Sequence, residues 1–236
     1  MIIKKIREEI KKLERPENMI DAQQFSKEAL TNRYVLKAAV IRKASNRLFG
    51  EIKNQSKNDI LGICDEILES DLRYRRFFAF EWAGKLHEVY SVSDFARFER
   101  WLKKYVDNWG TCDHIGIGIL GPMVLRFPEL TVRIKKWTSS KNRWVRRASA
   151  VALIIPVRNG CLLEDVFLTA DILLEDQDDM VQKGYGWMLK ESCKAFQGEV
   201  FSYVMKNKKY MPRTSLRYAI EKMPRNLKQQ AMKKDW

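Results

Sequence analysis

Histidine is nearly absent from this 236-residue chain, which carries only His87 and His114. Its four cysteines, Cys64, Cys112, Cys161 and Cys193, are widely separated and contain no Cys-x-x-Cys pair. Zinc spacing is therefore missing, and neither a metal nor another cofactor is expected. No apolar run approaches the roughly 20 residues needed to span a bilayer. The longest, around IGIGILGPMVL, is broken by glycines. The first residues, MIIKKIREEIKKLER, alternate charge with apolar side chains at helical spacing and lack the unbroken apolar core of a signal peptide. We expect no membrane association, a cytoplasmic location and reduced thiols. Acids are outnumbered, 30 against 44 Lys and Arg, for a net charge of +14, which favours a polyanionic partner such as nucleic acid.

β-branched alternation is scarce, whereas apolar residues recur at three- and four-residue spacing almost everywhere. The chain therefore reads as all-α. Helices are predicted near 2–14, 19–30, 34–49, 57–69, 72–88, 92–107, 110–126, 129–138, 142–157, 162–174, 177–195, 197–206 and 213–222. Short breaks at Pro16, Asn54-Gln55-Ser56, Ser91, Phe127-Pro128, Ser139-Ser140, Asn159-Gly160 and Pro212 separate them. Helices arriving in pairs of roughly 35 to 45 residues are the pattern of a HEAT-like repeat α-solenoid, an α-α superhelix. One domain over residues 1–236 is expected, a monomer whose basic C-terminal segment, 207–236, belongs to the same body.

Charge is distributed unevenly along this array. Ser139 to Gly160 holds Lys141, Arg143, Arg146, Arg147 and Arg158 without an acid, whereas Glu164 to Asp179 holds seven acids without a base. Lys206 to Trp236 carries ten basic residues against Glu221 and Asp235. If repeats stack side by side, cations repeated on one helix of each pair would line a concave basic groove for a phosphate backbone. A solvated charged face is the plainer reading.

Three side chains sit awkwardly for a purely structural protein. Asp113 is the only acid between Asp107 and Glu129, in a nearly all-apolar helix, and Trp109 lies one turn before it. Trp187 belongs to a helix whose apolar stripe is Val181, Tyr185, Met188, Ser192 and Phe196. At about 100° per residue it projects instead from the side bearing Lys183, Lys190 and Lys194. An indole among lysines suits contact with a nucleotide. Packing against a neighbouring repeat would also account for it. Asp113 could equally be the N-cap of a helix starting at His114, and Trp109 could be core, since its face continues through Gly116, Leu120 and Met123. Arg143 and Arg147 share a face opposite the Trp144, Ala148, Val151 and Ile155 stripe, which suits phosphate contacts.

The runs NWGTCDHIGIGILGPMVLRFPEL, KKWTSSKNRWVRRASAVALI and DMVQKGYGWMLKE together resemble the AlkD-like family of DNA alkylation repair glycosylases over roughly residues 80 to 205. Its most specific elements here are Trp109 with Asp113, the Trp-x-x-Arg-Ala step from Trp144 to Ala148, and the Gln-Lys-x-x-Gly-Trp step from Gln182 to Trp187. The resemblance implies a HEAT-like fold and hydrolysis of the N-glycosidic bond of cationic N3- or N7-alkylated purines in duplex DNA. It further implies Asp113 as the catalytic carboxylate, Trp109 and Trp187 flanking the deoxyribose, and Arg147, with Arg146 as an alternative, holding phosphate near the lesion. Arg143, Lys183 and Lys190 would complete the DNA contacts. The segment RYVLKAAVIRKASNRLF departs from the family pattern, lacking the Gly and Pro that relatives often carry before an Arg-bearing helix. The alternative function is a non-catalytic HEAT-repeat scaffold that binds DNA, RNA or an acidic protein partner.

Overall fold

The computed structural model describes residues 2–25 and 34–234. It is all-α apart from one short antiparallel strand pair, and it divides into two compact units, Met1–Lys85 and Leu86–Trp236. In the first unit the helices are Ile2–Leu13, Ala38–Phe49, Lys57–Glu69 and Arg75–Gly84. Ile6, Ile41, Leu48, Ile60, Leu61, Phe78 and Trp82 form its core, all 3 % exposed or less. Buried Trp82 keeps its polar edge satisfied by donating from Nε1 to Ser45 Oγ at 2.9 Å.

The expected helix over 19–30 is not what forms. Met19–Asp21 is a strand paired with Tyr34–Leu36 in the register Met19↔Leu36, Ile20↔Val35, Asp21↔Tyr34, and Ala22–Phe25 is a 3-10 turn. Residues 26–30 lie outside the described residues. The next helix accordingly starts at Ala38 rather than 34. Asn18 turns the chain, accepting Lys37 N–H on its backbone carbonyl at 2.8 Å and donating its side-chain amide to Leu13 at 3.0 Å. That exchange satisfies polar groups at the end of the first helix and directs the chain into the strand.

The second unit is built on three helices that carry the residues of interest. The first is Trp109–Arg126, with a π turn over Gly116–Leu120 closed by Gly121 N–H onto the Gly116 carbonyl. Pro122 has no N–H to offer, so the wider turn occurs where the regular α ladder is already broken. The second is a pair of consecutive helices, Arg143–Val151 and Ile154–Arg158, separated by a turn at Ala152-Leu153. The third, Asp179–Asn207, is interrupted at Phe196 (φ −136°, ψ 47°), matching the predicted break between 195 and 197.

Each of these helices starts from a side-chain cap. Asn108 Oδ1 accepts Thr111 N–H at 2.9 Å, Asn142 Oδ1 accepts Trp144 N–H at 2.9 Å, and Asp178 Oδ1 accepts Met180 N–H at 2.9 Å. Helical segments at Pro128–Ser139 and Leu163–Ile172 alternate with them in sequence. Such alternation is the helix-pair organisation of a HEAT-like array.

Glycines set the spacing between the first two helices. A Cβ on Gly116 would meet Val151 Cγ1 at 2.6 Å, and one on Gly121 would meet Ile155 Cγ1 at 2.8 Å. Contacts that advance along both chains together mean that these helices run parallel. The same holds for the second and third, where Gly184 abuts Arg147 and Glu191 binds Arg158. No single described helix is long and apolar enough to cross a membrane. The pair Trp109–Arg126 and Pro128–Ser139 has suitable length and composition but bends by 117°. Its apolar side chains, including Ile115, Ile119, Leu120, Val124, Ile134 and Trp137, are spent on the interior of this unit at 3 % exposure or less.

One element went unpredicted. Arg225–Met232 is a helix, entered through Pro224 and anchored by buried Ala231, so the basic C-terminal segment is ordered through this stretch. Buried Lys208 donates Nζ to the Gln230 carbonyl at 3.2 Å and the Lys233 carbonyl at 3.4 Å, a cation placed where the helix dipole favours one.

Candidate active site

Asp113 is not a cap. Asn108 holds that position, and Asp113 falls in the second turn of its helix, four residues after Trp109 and on the same face. Trp109 is 38 % exposed, so it is not a core aromatic, although Gly116, Leu120 and Met123 farther along are buried. The residue between them in packing terms is Cys112, whose thiol donates to the Trp144 carbonyl at 3.4 Å. Burial pushes that thiol's pKa well up, so it is a packing group and not a nucleophile.

The partner of Asp113 is Arg147. Arg147 Nε donates to Asp113 Oδ1 at 2.8 Å and Nη2 donates to Oδ2 at 2.9 Å, a bidentate pair with fixed planar geometry. Arg147 Nη1 donates to the Met180 carbonyl at 2.5 Å, tying the same guanidinium to the start of the Trp187 helix. The plainer reading of this stretch, a solvated charged face, does not describe Arg147, which is only 5 % exposed. Its helix is flanked on one side by the Trp109 helix and on the other by the Trp187 helix. Gly184 permits the second approach, since its Cβ position lies 3.0 Å from Arg147 Cγ. A long cation closed in from both sides needs its charge balanced, which Asp113 accomplishes, while the Met180 carbonyl takes a further donor.

Burial raises the Asp113 pKa, and the Arg147 hydrogen bonds and charge oppose that rise. The carboxyl is nevertheless not sealed, since its side chain keeps 18 % of its exposure. It is thus a fixed, partly accessible anion beside an exposed indole.

Met180, Gly184, Trp187 and Glu191 recur at three- and four-residue steps and form one face of the long helix. The first two touch Arg147, which directs Trp187 along the same side of the unit. The stripe of Val181, Tyr185, Met188 and Ser192 is fully buried, while Trp187 is half-buried. Gly186 allows the other side of this helix to meet the Arg213–Ala219 helix, where its Cβ position lies 2.8 Å from Tyr218 Cβ.

Trp187 Nε1 donates to Glu191 Oε1 at 3.3 Å. Glu191 was not foreseen from sequence, where an acid among lysines reads as a surface pair. It is buried, with a side chain 4 % exposed, accepts hydrogen bonds from Arg158 Nε at 2.8 Å and Lys222 Nζ at 2.9 Å, and forms an ion pair with Lys194 Nζ at 3.4 Å. Burial alone would raise its pKa, but hydrogen bonds and charge from Arg158 and Lys222 outweigh burial and bring it down to about 2.

The remaining cations expected to meet phosphate all have carboxylate partners within the protein. Arg143 Nε lies 2.8 Å from Asp178 Oδ2 with its guanidinium over the Trp144 ring, and Arg146 Nε lies 2.7 Å from Asp176 Oδ2. Lys183 pairs with Asp179 at 2.5 Å, and Lys190 with Glu221 at 3.1 Å. The acid run of 164–179 thus supplies counter-charges to the acid-free run before it. Among the described residues no three of His, Cys, Asp and Glu gather as metal ligands would. A surface hollow of about 400 Å³ lined by Glu99, Lys103, Arg133 and Trp137 shares no residue with this group.

The DNA alkylation repair enzyme family matches residues 6–223 of the chain. A solved structure of a predicted DNA alkylation repair enzyme from Enterococcus faecalis is similar, with TM-score 0.71 and 14 % identity over 80 % of this chain and 87 % of that one. A crystal structure from Streptococcus mutans UA159 is similar with TM-score 0.60 and 16 % identity over 97 % and 98 % of the two chains. At those identities the likeness is one of fold. No curated protein is significantly similar to the chain.

Proposed function

The chain belongs to the DNA alkylation repair enzyme family, and from that premise we propose that it is a monofunctional DNA glycosylase acting on cationic N3- or N7-alkylated purines in duplex DNA. The observation that carries this reading is one clasp: an accessible carboxylate, Asp113, fixed by Arg147, beside exposed Trp109 and tied to the helix of Trp187. An alkylated purine already bears positive charge and leaves as a neutral base when the N-glycosidic bond breaks. The bonding electrons depart with it, so no strong general acid is needed. Positive charge then develops on the sugar as an oxocarbenium ion. Asp113 stabilises that charge and orients the water that adds to the anomeric carbon, and the water's proton is lost to solvent. The faces of Trp109 and Trp187 pack against the sugar and contribute cation–π attraction. The products are the free base and an abasic site.

Within this reading Arg147 is a buried holder of Asp113 first and a phosphate ligand second. Its guanidinium has five N–H donors, of which the three contacts described use three. The surface cations Arg143, Arg146, Lys183 and Lys190 would exchange carboxylate partners for phosphates on binding. Lys183 and Lys190 pair with exposed carboxylates, Asp179 and Glu221, and exchange these partners at lower cost than Arg146, whose pair with Asp176 is largely covered.

The bidentate pairing itself favours a second reading, a non-catalytic scaffold in which Asp113 and Arg147 merely staple two helices. Base release distinguishes the two. The protein is expected to release 7-methylguanine or 3-methyladenine from methylated duplex DNA. Asp113→Asn is expected to lower the single-turnover rate about a hundred- to thousandfold, as for losing an electrostatic stabiliser of the transition state, with DNA affinity unchanged or tighter. Equal release by the variant would remove Asp113 from the chemistry. No release by the unmodified protein across several alkylated substrates would favour the scaffold.

A further inference from the structure

We propose that Glu191 is a positioning residue that fixes the indole of Trp187 against the reacting sugar; the inference rests on the glycosylase reading above. Four donors converge on its carboxylate. Trp187 Nε1 at 3.3 Å and Lys222 Nζ at 2.9 Å meet Oε1, while Arg158 Nε at 2.8 Å and Lys194 Nζ at 3.4 Å meet Oε2. Three of these contacts are hydrogen bonds and Lys194 adds an ion pair, so this carboxylate, 4 % exposed, is committed to partners within the protein. Its position within the fold then gives it a purpose. Arg158 ends the helix Ile154–Arg158 that follows the Arg147 helix, Glu191 and Trp187 lie on Asp179–Asn207, and Lys222 follows the Arg213–Ala219 helix.

A half-buried tryptophan can occupy several rotamers, and its sugar contact requires one of them. The polar edge of the ring is held by an anion that two other elements hold in turn. Glu191 stands four residues after Trp187, the spacing at which helical side chains meet. Arg158 stands eleven residues after Arg147 on the next helix, so two consecutive helices hold the carboxylate expected to do chemistry and the carboxylate that orients the indole. No atom of Glu191 needs to touch DNA for this role.

The test joins spectroscopy to kinetics. In amide and indole ¹⁵N–¹H spectra, the Trp187 Nε1–H resonance is the one missing from Trp187→Phe. It is expected to move and broaden in Glu191→Ala and to move less in Glu191→Gln, which keeps Oε1 as an acceptor. Single-turnover base release at saturating methylated duplex is expected to fall about tenfold in Glu191→Ala, a typical cost of lost positioning, with Kd within about twofold of the unmodified protein. In the Trp187→Phe background the same substitution should change the rate by less than about twofold, since the group it acts through is gone.

An unmoved indole resonance, or an equal rate loss in both backgrounds, overturns the proposal. Should Glu191→Ala fail to fold, Glu191→Gln takes its place in both comparisons, and the same two outcomes overturn the proposal. Should the unmodified protein release no base, the glycosylase reading fails. The resonance still decides whether Glu191 holds the indole.

Discussion

Two carboxylates in the Leu86–Trp236 unit are held by arginines from two consecutive helices, Arg143–Val151 and Ile154–Arg158, and they have opposite characters. Asp113 has one cation, Arg147, matched to it oxygen for oxygen, and retains some access to solvent. Glu191 has Arg158, Lys222 and Lys194 and is closed off almost completely. Burial dominates at Asp113 and raises its pKa, whereas surplus positive charge dominates at Glu191 and lowers its pKa to about 2. An anion neutralised once and left reachable can respond to charge that appears beside it. One enclosed by three cations is already committed. The pair separates the requirement of chemistry from that of architecture within one stack of helices.

The largest effect expected from breaking this comparison lies at the one-to-one pair. Arg147→Met leaves Asp113 buried without a counter-charge, and urea unfolding should show a loss of about 3–5 kcal/mol. Arg158→Met should cost about 1 kcal/mol, because Lys222 and Lys194 remain on Glu191. Combining Arg147→Met with Asp113→Asn should recover much of the first loss. Additive losses would show that the two side chains do not act as a unit.

Acidification sharpens the contrast. A depressed folded-state pKa contributes stability that is present above the unfolded value and lost as pH falls through the folded one. The stability difference between the unmodified protein and Glu191→Gln should therefore be constant above about pH 4.5, an ordinary glutamate value, and shrink as the pH approaches 2. Asp113 is raised, so its charged form is lost on acidification above the usual aspartate range. Base release should decline first, while the Glu191 junction is still intact. Simultaneous loss of rate and of the Glu191 contribution would erase the distinction.

The smallest effects belong to two partly buried lysines whose carboxylate partners are exposed. Lys183→Ala and Lys190→Ala should each make the salt dependence of DNA binding shallower by about one unit in the log–log slope. Unchanged slopes would leave these lysines with Asp179 and Glu221 alone.

Much of this arrangement is legible in the sequence because helical periodicity reports burial on one side of a helix. The stripe from Val181 to Ser192 and the displacement of Trp187 from it follow directly. The same logic fails where a helix is enclosed on two sides. Arg147 lies opposite an apolar stripe and reads as a phosphate contact or a solvated charge, yet a second helix covers it because Gly184 removes the side chain that would keep it away. Glycine reports that approach only once a partner is known. Glu191 is obscured for a related reason, since Arg158 and Lys222 are more than thirty positions away on either side and local spacing shows only Lys190 and Lys194. The 19–21 strand has its partner at 34–36, beyond the reach of a helical window. The Arg225–Met232 helix is polar with one buried residue, Ala231, too little for periodicity to register.

The bond from Arg147 to the Met180 carbonyl has a consequence for motion. A guanidinium joined both to Asp113 and to the backbone of the next helix cannot let go of one without disturbing the other. The turns around Asp113 and Gly184 are therefore expected to open as one cooperative unit, which hydrogen exchange would register as similar opening free energies for their amides. Thermal fluctuation reaches Asp113 and the Trp187 helix together, which keeps their relative placement constant between openings.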